Sequence, residues 1–94
     1  MALTTIIAYD IHEDWRRARL AALIQRYGDR VQYSVFACRL ELSELTSLLE
    51  QAATIVDEKV DSIYAFRQCQ DCWEAIRTIG QARPPEPVLY WAVF

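Results

Sequence analysis

The order of elements along the chain predicts an α+β sandwich, with helices on one face of a small, mostly antiparallel sheet. Three observations carry this. Runs rich in β-branched and aromatic residues fall at 4–9, 30–42 and 60–67. Two stretches between them carry apolar residues at helical spacing. The whole chain is 94 residues, 53% hydrophobic and 24% charged with two Gly and three Pro, which suits one globular domain and excludes disorder and collagen-like repeats. No apolar run approaches the roughly 18 residues of a membrane span. Met1 to Tyr9 lacks the basic start and small-residue cleavage site of a signal peptide. A cytoplasmic protein without a membrane partner is the expectation.

Thr4 to Tyr9 is a short strand by composition and length. Residues 13–27 follow a helical period, with Leu20, Leu23, Ile24 and Tyr27 on one face and Gly28 placed where a helix-terminating glycine belongs. Arg30 to Leu42 alternates apolar and polar residues, and reads either as one long bent strand or as two short ones. Ser43 is positioned to cap a second helix, whose stripe is Leu45, Leu48, Leu49, Ala52 and Val56. Val60 to Arg67 is a further strand, and Cys72 to Ile79 a short helix ended by Gly80. This order favours the ferredoxin-like βαββαβ arrangement over residues 1–80. Residues 81–94 form a connector stiffened by Pro84, Pro85 and Pro87, then the apolar run Val88, Leu89, Tyr90, Trp91, Ala92, Val93 and Phe94. A domain this small cannot leave that run exposed, so an added C-terminal strand is expected, pairing with a sheet edge of this chain or of a neighbour.

The net charge of −3 argues against a nucleic-acid ligand only at the scale of the whole chain. Residues 43–94 hold four basic and eight acidic residues. From Trp15 to Arg30, five arginines (Arg16, Arg17, Arg19, Arg26 and Arg30) face one acid, Asp29. Arginine suits bidentate contact with phosphate. The alternative is a solvated helix face whose arginines pair with nearby acids. Asp10 closes the first strand beside the start of the first helix. There it is either an anion complementing the helix dipole or a ligand for Mg²⁺, which takes one or two carboxylates plus water and phosphate oxygens. One carboxylate holds Mg²⁺ poorly, so the metal reading requires two copies of Asp10 brought together by a two-fold axis. Tyr33 and Phe36 are either base-stacking aromatics or core. His12 either shuttles protons or merely precedes the helix.

Cys38 stands in an apolar run and reads as core. Cys69 and Cys72 form a CxxC, the spacing of half a zinc knuckle, of a redox pair, or of two reduced thiols beside a loop. No nucleophile elbow, P-loop, dinucleotide fingerprint or HExxH motif is present.

Tyr9-Asp10-Ile11, then Arg17 and Arg19, Tyr27-Gly28, and Arg30 to Phe36 (RVQYSVF) together resemble the CRISPR-associated protein 2 family. A leucine-rich helix followed by Asp61-Ser62-Ile63-Tyr64 extends the resemblance over about residues 4–80. It implies a ferredoxin-like protomer in a homodimer, with paired Asp10 carboxylates binding one Mg²⁺ as the centre of a metal-dependent endonuclease acting on RNA or DNA. It implies nucleic-acid contact or activity at Tyr9, Arg17, Arg19, Arg30 and Phe36. It also implies a DNA-binding subunit that bridges dimers of the CRISPR integrase on duplex DNA during spacer acquisition. Ala37 departs from the family, in which many members carry an acid after the SVF. The expectation is therefore a dimeric adaptation subunit with Mg²⁺-dependent phosphodiesterase activity at Asp10. The alternatives are a toxin-like nuclease cutting single-stranded RNA, and a ferredoxin-like interaction or small-ligand module that never meets nucleic acid.

Overall fold

The computed structural model describes residues 2–80; the connector and the expected strand from Val88 to Phe94 lie outside the described residues. The elements are β1 (Leu3–Asp10), α1 (Asp14–Gln25), β2 (Gly28–Gln32), β3 (Val35–Leu40), α2 (Leu42–Ala53), β4 (Ser62–Gln68) and α3 (Gln70–Glu74). The strands form one sheet in the order β2-β3-β1-β4, antiparallel at every pairing. This is the split βαβ topology of a ferredoxin-like sandwich.

Strand alternation divides the sheet into two faces. On β1, Thr5, Ile7 and Tyr9 are buried, and their cross-strand partners Cys38 and Phe36 are fully enclosed. These meet Leu20, Leu23 and Ile24 of α1 and Leu45 and Leu48 of α2 in one core. Each such aliphatic side chain contributes about 1.5–3 kcal/mol by leaving water. Cys38 belongs to this core as expected, and burial pushes its thiol up to about 11, with Asp29 adding to the shift. The opposite face carries Ile6 and Ala8 of β1 across from Phe66 and Tyr64 of β4. The Tyr64 and Phe66 rings lie nearly parallel, 6.0 Å apart, and each is about half exposed.

The stretch from Arg30 to Leu42 is two strands rather than one bent strand. The hairpin turns at Tyr33-Ser34, where Gln32 pairs with Val35, and the register shifts between Arg30 and Gln32. Neither turn residue has positive φ, so the usual Asn-Gly signal is absent and the bulge supplies the local twist instead.

Gly28 is a glycine for a different reason from the one the periodicity suggests. α1 ends at Gln25, and Gly28 is the first residue of β2, opposite Cys38. A Cβ there would lie 2.3 Å from the Ala37 carbonyl oxygen and 2.6 Å from the Cys38 Cα and Sγ. Close approach of two strands, not a left-handed helix end, excludes a side chain. The start of α2 also differs from expectation. Glu41, not Ser43, is its N-cap, and the Glu44 carboxylate accepts the Glu41 N–H at 2.8 Å in a capping box. β4 begins at Ser62, because Val60 and Asp61 close a turn onto the Asp57 carbonyl. The short third helix both starts and ends earlier than expected, at Gln70 and Glu74, so Gly80 does not end it.

Candidate nucleic-acid interface

Asp10 is the last residue of β1, exposed, and lies opposite Ser62 on the face away from the helices. The pairing of β1 with β3 ends at Ala8, so β1 carries Asp10 past the β2–β3 hairpin. One residue earlier, the Tyr9 N–H donates to the Ser34 carbonyl at 3.1 Å, which anchors the strand end to the hairpin turn.

Around that strand end the structure gathers four of the expected residues. The Tyr9 and Phe36 rings stack with centroids 6.2 Å apart. The Arg30 guanidinium lies 5.1 Å from the Phe36 centroid and 6.0 Å from that of exposed Tyr33. These are cation–π distances, and they place a positive charge at the rim of the core. Arg17 donates to the Ile11 carbonyl at 2.9 Å and pairs with Asp14. Burial raises the Tyr9 phenol above its ordinary value, while the Arg30 and Arg17 charges pull it down, so both guanidinium groups act on one point. Phe36 is entirely enclosed and Tyr9 nearly so. Neither ring is available to stack on a base; Phe36 underlies the Arg30 guanidinium and Tyr9 stacks on Phe36. Tyr33 is the exposed aromatic at this rim, and its place in an alternating run concealed that it sits in the turn.

The remaining arginines lie elsewhere. Arg19 and Arg26 line a shallow groove between α1 and α2 with Gln51 and Thr54. Arg16 faces the turn before β4. Its Nε donates to Asp61 Oδ2 at 2.8 Å and its Nη2 to Oδ1 at 3.3 Å. The same carboxylate accepts the His12 N–H and the Asp57 N–H, both at 2.9 Å. The Asp61 side chain is fully enclosed. It joins the turn after β1, the first turn of α1 and the loop after α2, and Arg16 is committed to that joint. His12 takes part through its backbone.

The Arg16 guanidinium holds the Asp61 carboxyl well below the usual carboxylate range; burial opposes this, and the two backbone N–H groups assist. A carboxyl with a lower pKa in the folded state adds stability that is complete above the unfolded value, about 3.9, and is lost as pH falls through the folded one. Asp61→Asn should therefore lower the thermal midpoint at neutral pH by about 10 °C or more. The gap to wild type should narrow below about pH 4, as measured by thermal melts across pH.

Among the described residues no group of three or more His, Cys, Asp or Glu side chains could hold a metal ion. Asp10 alone is compatible with Mg²⁺, which accepts a single carboxylate when water and phosphate fill its other positions. No helix among the described residues is long and apolar enough to cross a membrane.

Comparison with known proteins agrees with the fold. Residues 2–76 match the family described as CRISPR associated protein Cas2. A CRISPR-associated endoribonuclease Cas2 from Chloroflexus aurantiacus is 42% identical over 82 residues, covering 86% of this chain and 88% of its own. The crystal structure of Streptococcus pyogenes Cas2 at pH 6.5 superposes with a TM-score of 0.75 at 29% identity, covering 83% of this chain and 100% of that one. A chain in a partial Cas6-RT-Cas1–Cas2 complex gives a TM-score of 0.71 at 25% identity, covering 95% and 99%. With most of the chain matched by the family and a relative of this identity aligned along nearly its whole length, the protein belongs to the Cas2 family.

Proposed function

We propose that the protein is a homodimeric, nucleic-acid-binding subunit of CRISPR spacer acquisition that bridges integrase dimers on duplex DNA and hydrolyses phosphodiesters with Mg²⁺ at paired Asp10 residues. The observation that carries this is the convergence of Arg17, Arg30 and Tyr33 on the strand end that presents Asp10. Cations there hold phosphates while a carboxylate lies one residue beyond. The half-exposed Tyr64–Phe66 pair, on the sheet face that also bears Asp10, supports the homodimer. A second copy packed on that face buries both rings and brings the two Asp10 side chains to one interface. A bound Mg²⁺ would polarise the phosphodiester and lower the pKa of a water. Asp10 would hold the ion, and Arg17 and Arg30 would orient the phosphate. The likeness to a chain of a complex that contains Cas1 and Cas2 supports the integrase partner.

Duplex affinity should fall linearly with rising salt on logarithmic axes. Arg17→Ala and Arg30→Ala should each flatten that slope by about 0.9 units, as a titration of affinity against salt would read. A duplex affinity indifferent to salt would overturn the nucleic-acid reading. A second reading, cleavage of single-stranded RNA as the main activity, is favoured by the endoribonuclease name of the Chloroflexus aurantiacus relative. Faster cutting of single-stranded RNA than of duplex DNA by the wild-type protein would favour it.

A further inference from the structure

Cys69 and Cys72 have no part in the proposed nucleic-acid function, yet the fold arranges them closely. Cys69 directly follows the last residue of β4 and is the N-cap of α3, with φ −67° and ψ 162°. Its Sγ accepts the Cys72 N–H at 3.2 Å. Residues at i and i+3 in a helical turn lie on the same side, about 5–6 Å apart at Cβ. Both thiols are exposed, whereas Cys38 is sealed in the core. A tetrahedral zinc site needs four donors, and no cluster of three exists among the described residues. The two exposed thiols lie one turn apart, with one turned onto the backbone of the other, and from the i,i+3 spacing the Cβ atoms need to close by about 1–2 Å to reach disulfide geometry.

We propose that Cys69 and Cys72 form a reversible dithiol–disulfide site that exchanges with low-molecular-weight disulfides of the glutathione class. Cys69 is the attacking thiol. Hydrogen bonds from the Cys72 thiol and the Cys72 N–H draw it below its ordinary value, while the Cys72 thiol is raised. In the first step the Cys69 thiolate bonds to one sulfur of glutathione disulfide. The glutathione S–S bond breaks, and one glutathione leaves as a thiolate that takes up a proton. In the second step Cys72 gives up its proton and attacks the Cys69 sulfur. The Cys69–Cys72 bond forms and the second glutathione departs. The protein loses two protons and two electrons, and glutathione disulfide gains both as it becomes two glutathione thiols. Under a reducing poise the pair rests as two thiols, and it closes when the poise rises. The closed form ties the end of β4 to the first turn of α3.

The test incubates the full chain with mixtures of reduced and oxidised glutathione at neutral pH, then measures intact mass and counts thiols after denaturation. The wild-type protein should fall from three free thiols to one. Peptide mapping should join Cys69 to Cys72 within one chain, and dithiothreitol should restore the starting state. Cys72→Ser should trap one glutathione on Cys69, since nothing remains to resolve it. Cys69→Ser keeps a competent N-cap, so α3 still forms, and it should react about tenfold more slowly. Three persistent thiols in oxidised glutathione would overturn the proposal. So would exclusively intermolecular links, or equal rates in the two serine variants with no trapped adduct.

Discussion

Asp10→Asn should reduce Mg²⁺-dependent cleavage by well over the roughly 10–100-fold that losing an outer-shell partner of a metal costs. The affinity for duplex should be retained. The substitution removes charge and keeps shape at an exposed strand end, so it disturbs neither the core nor the arginines. Among the described residues no other acid combines with two more ligands to replace it, and in a symmetric dimer each substitution counts twice. Cleavage assays with Mg²⁺ present or chelated, run beside duplex binding on the same preparation, separate the two activities. Cleavage that survives the change would place the metal elsewhere. Loss of binding together with cleavage would mean that Asp10 shapes the interface as a whole.

Phe36→Ala should cost about 3–5 kcal/mol of folding stability, read from the denaturant midpoint. Phe36 is completely enclosed, pairs with Ile7 across the β1–β3 ladder, stacks on Tyr9 and lies under the Arg30 guanidinium. Removing the ring opens a cavity at the centre of the sheet. Against a total stability of about 5–15 kcal/mol for a domain, this is a large fraction. Phe36→Leu refills most of the volume, so it should recover most of the stability but not the cation–π contact. Any loss of duplex affinity that persists in Phe36→Leu is then attributable to a mispositioned Arg30. An alanine variant within about 1 kcal/mol of wild type would contradict the core described above.

Much of the architecture was legible because each element repeats a local rule. The apolar stripe of Leu20, Leu23 and Ile24 marked a buried face, and those residues are buried. The alternation from Arg30 to Leu42 marked extended chain, but Tyr33-Ser34 carries no glycine or proline to announce a turn. Tyr9, Arg17, Arg30 and Phe36 do come together, and the resemblance to the family named all four. Their division of labour could not be read from residue type, because whether a ring stacks on a base or props up an arginine depends on which face it occupies. Arg16 shows another limit. By residue type it is one more cation of the basic segment, and Asp61 is marked only as part of the motif that carries the resemblance, with no role attached. Their pairing spans 45 positions and leaves no trace in local periodicity. Gly28 is ambiguous in the sequence because a strand's close approach and a helix end both select glycine, and here it is the close approach to Cys38.

The Asp61 joint also bears on the order in which the chain acquires its structure. Its hydrogen bonds to His12 and Arg16 cross 49 and 45 positions. Neither can form during synthesis until almost two-thirds of the chain has been made. Closing loops of that length carries an entropic cost that local helices and the β2–β3 hairpin avoid. The basic helix can therefore coil early, with the Arg16 charge still solvated, and be fixed to the sheet only when β4 arrives. A contact made this late acts as a latch: it governs how slowly the finished protomer opens far more than how quickly it forms.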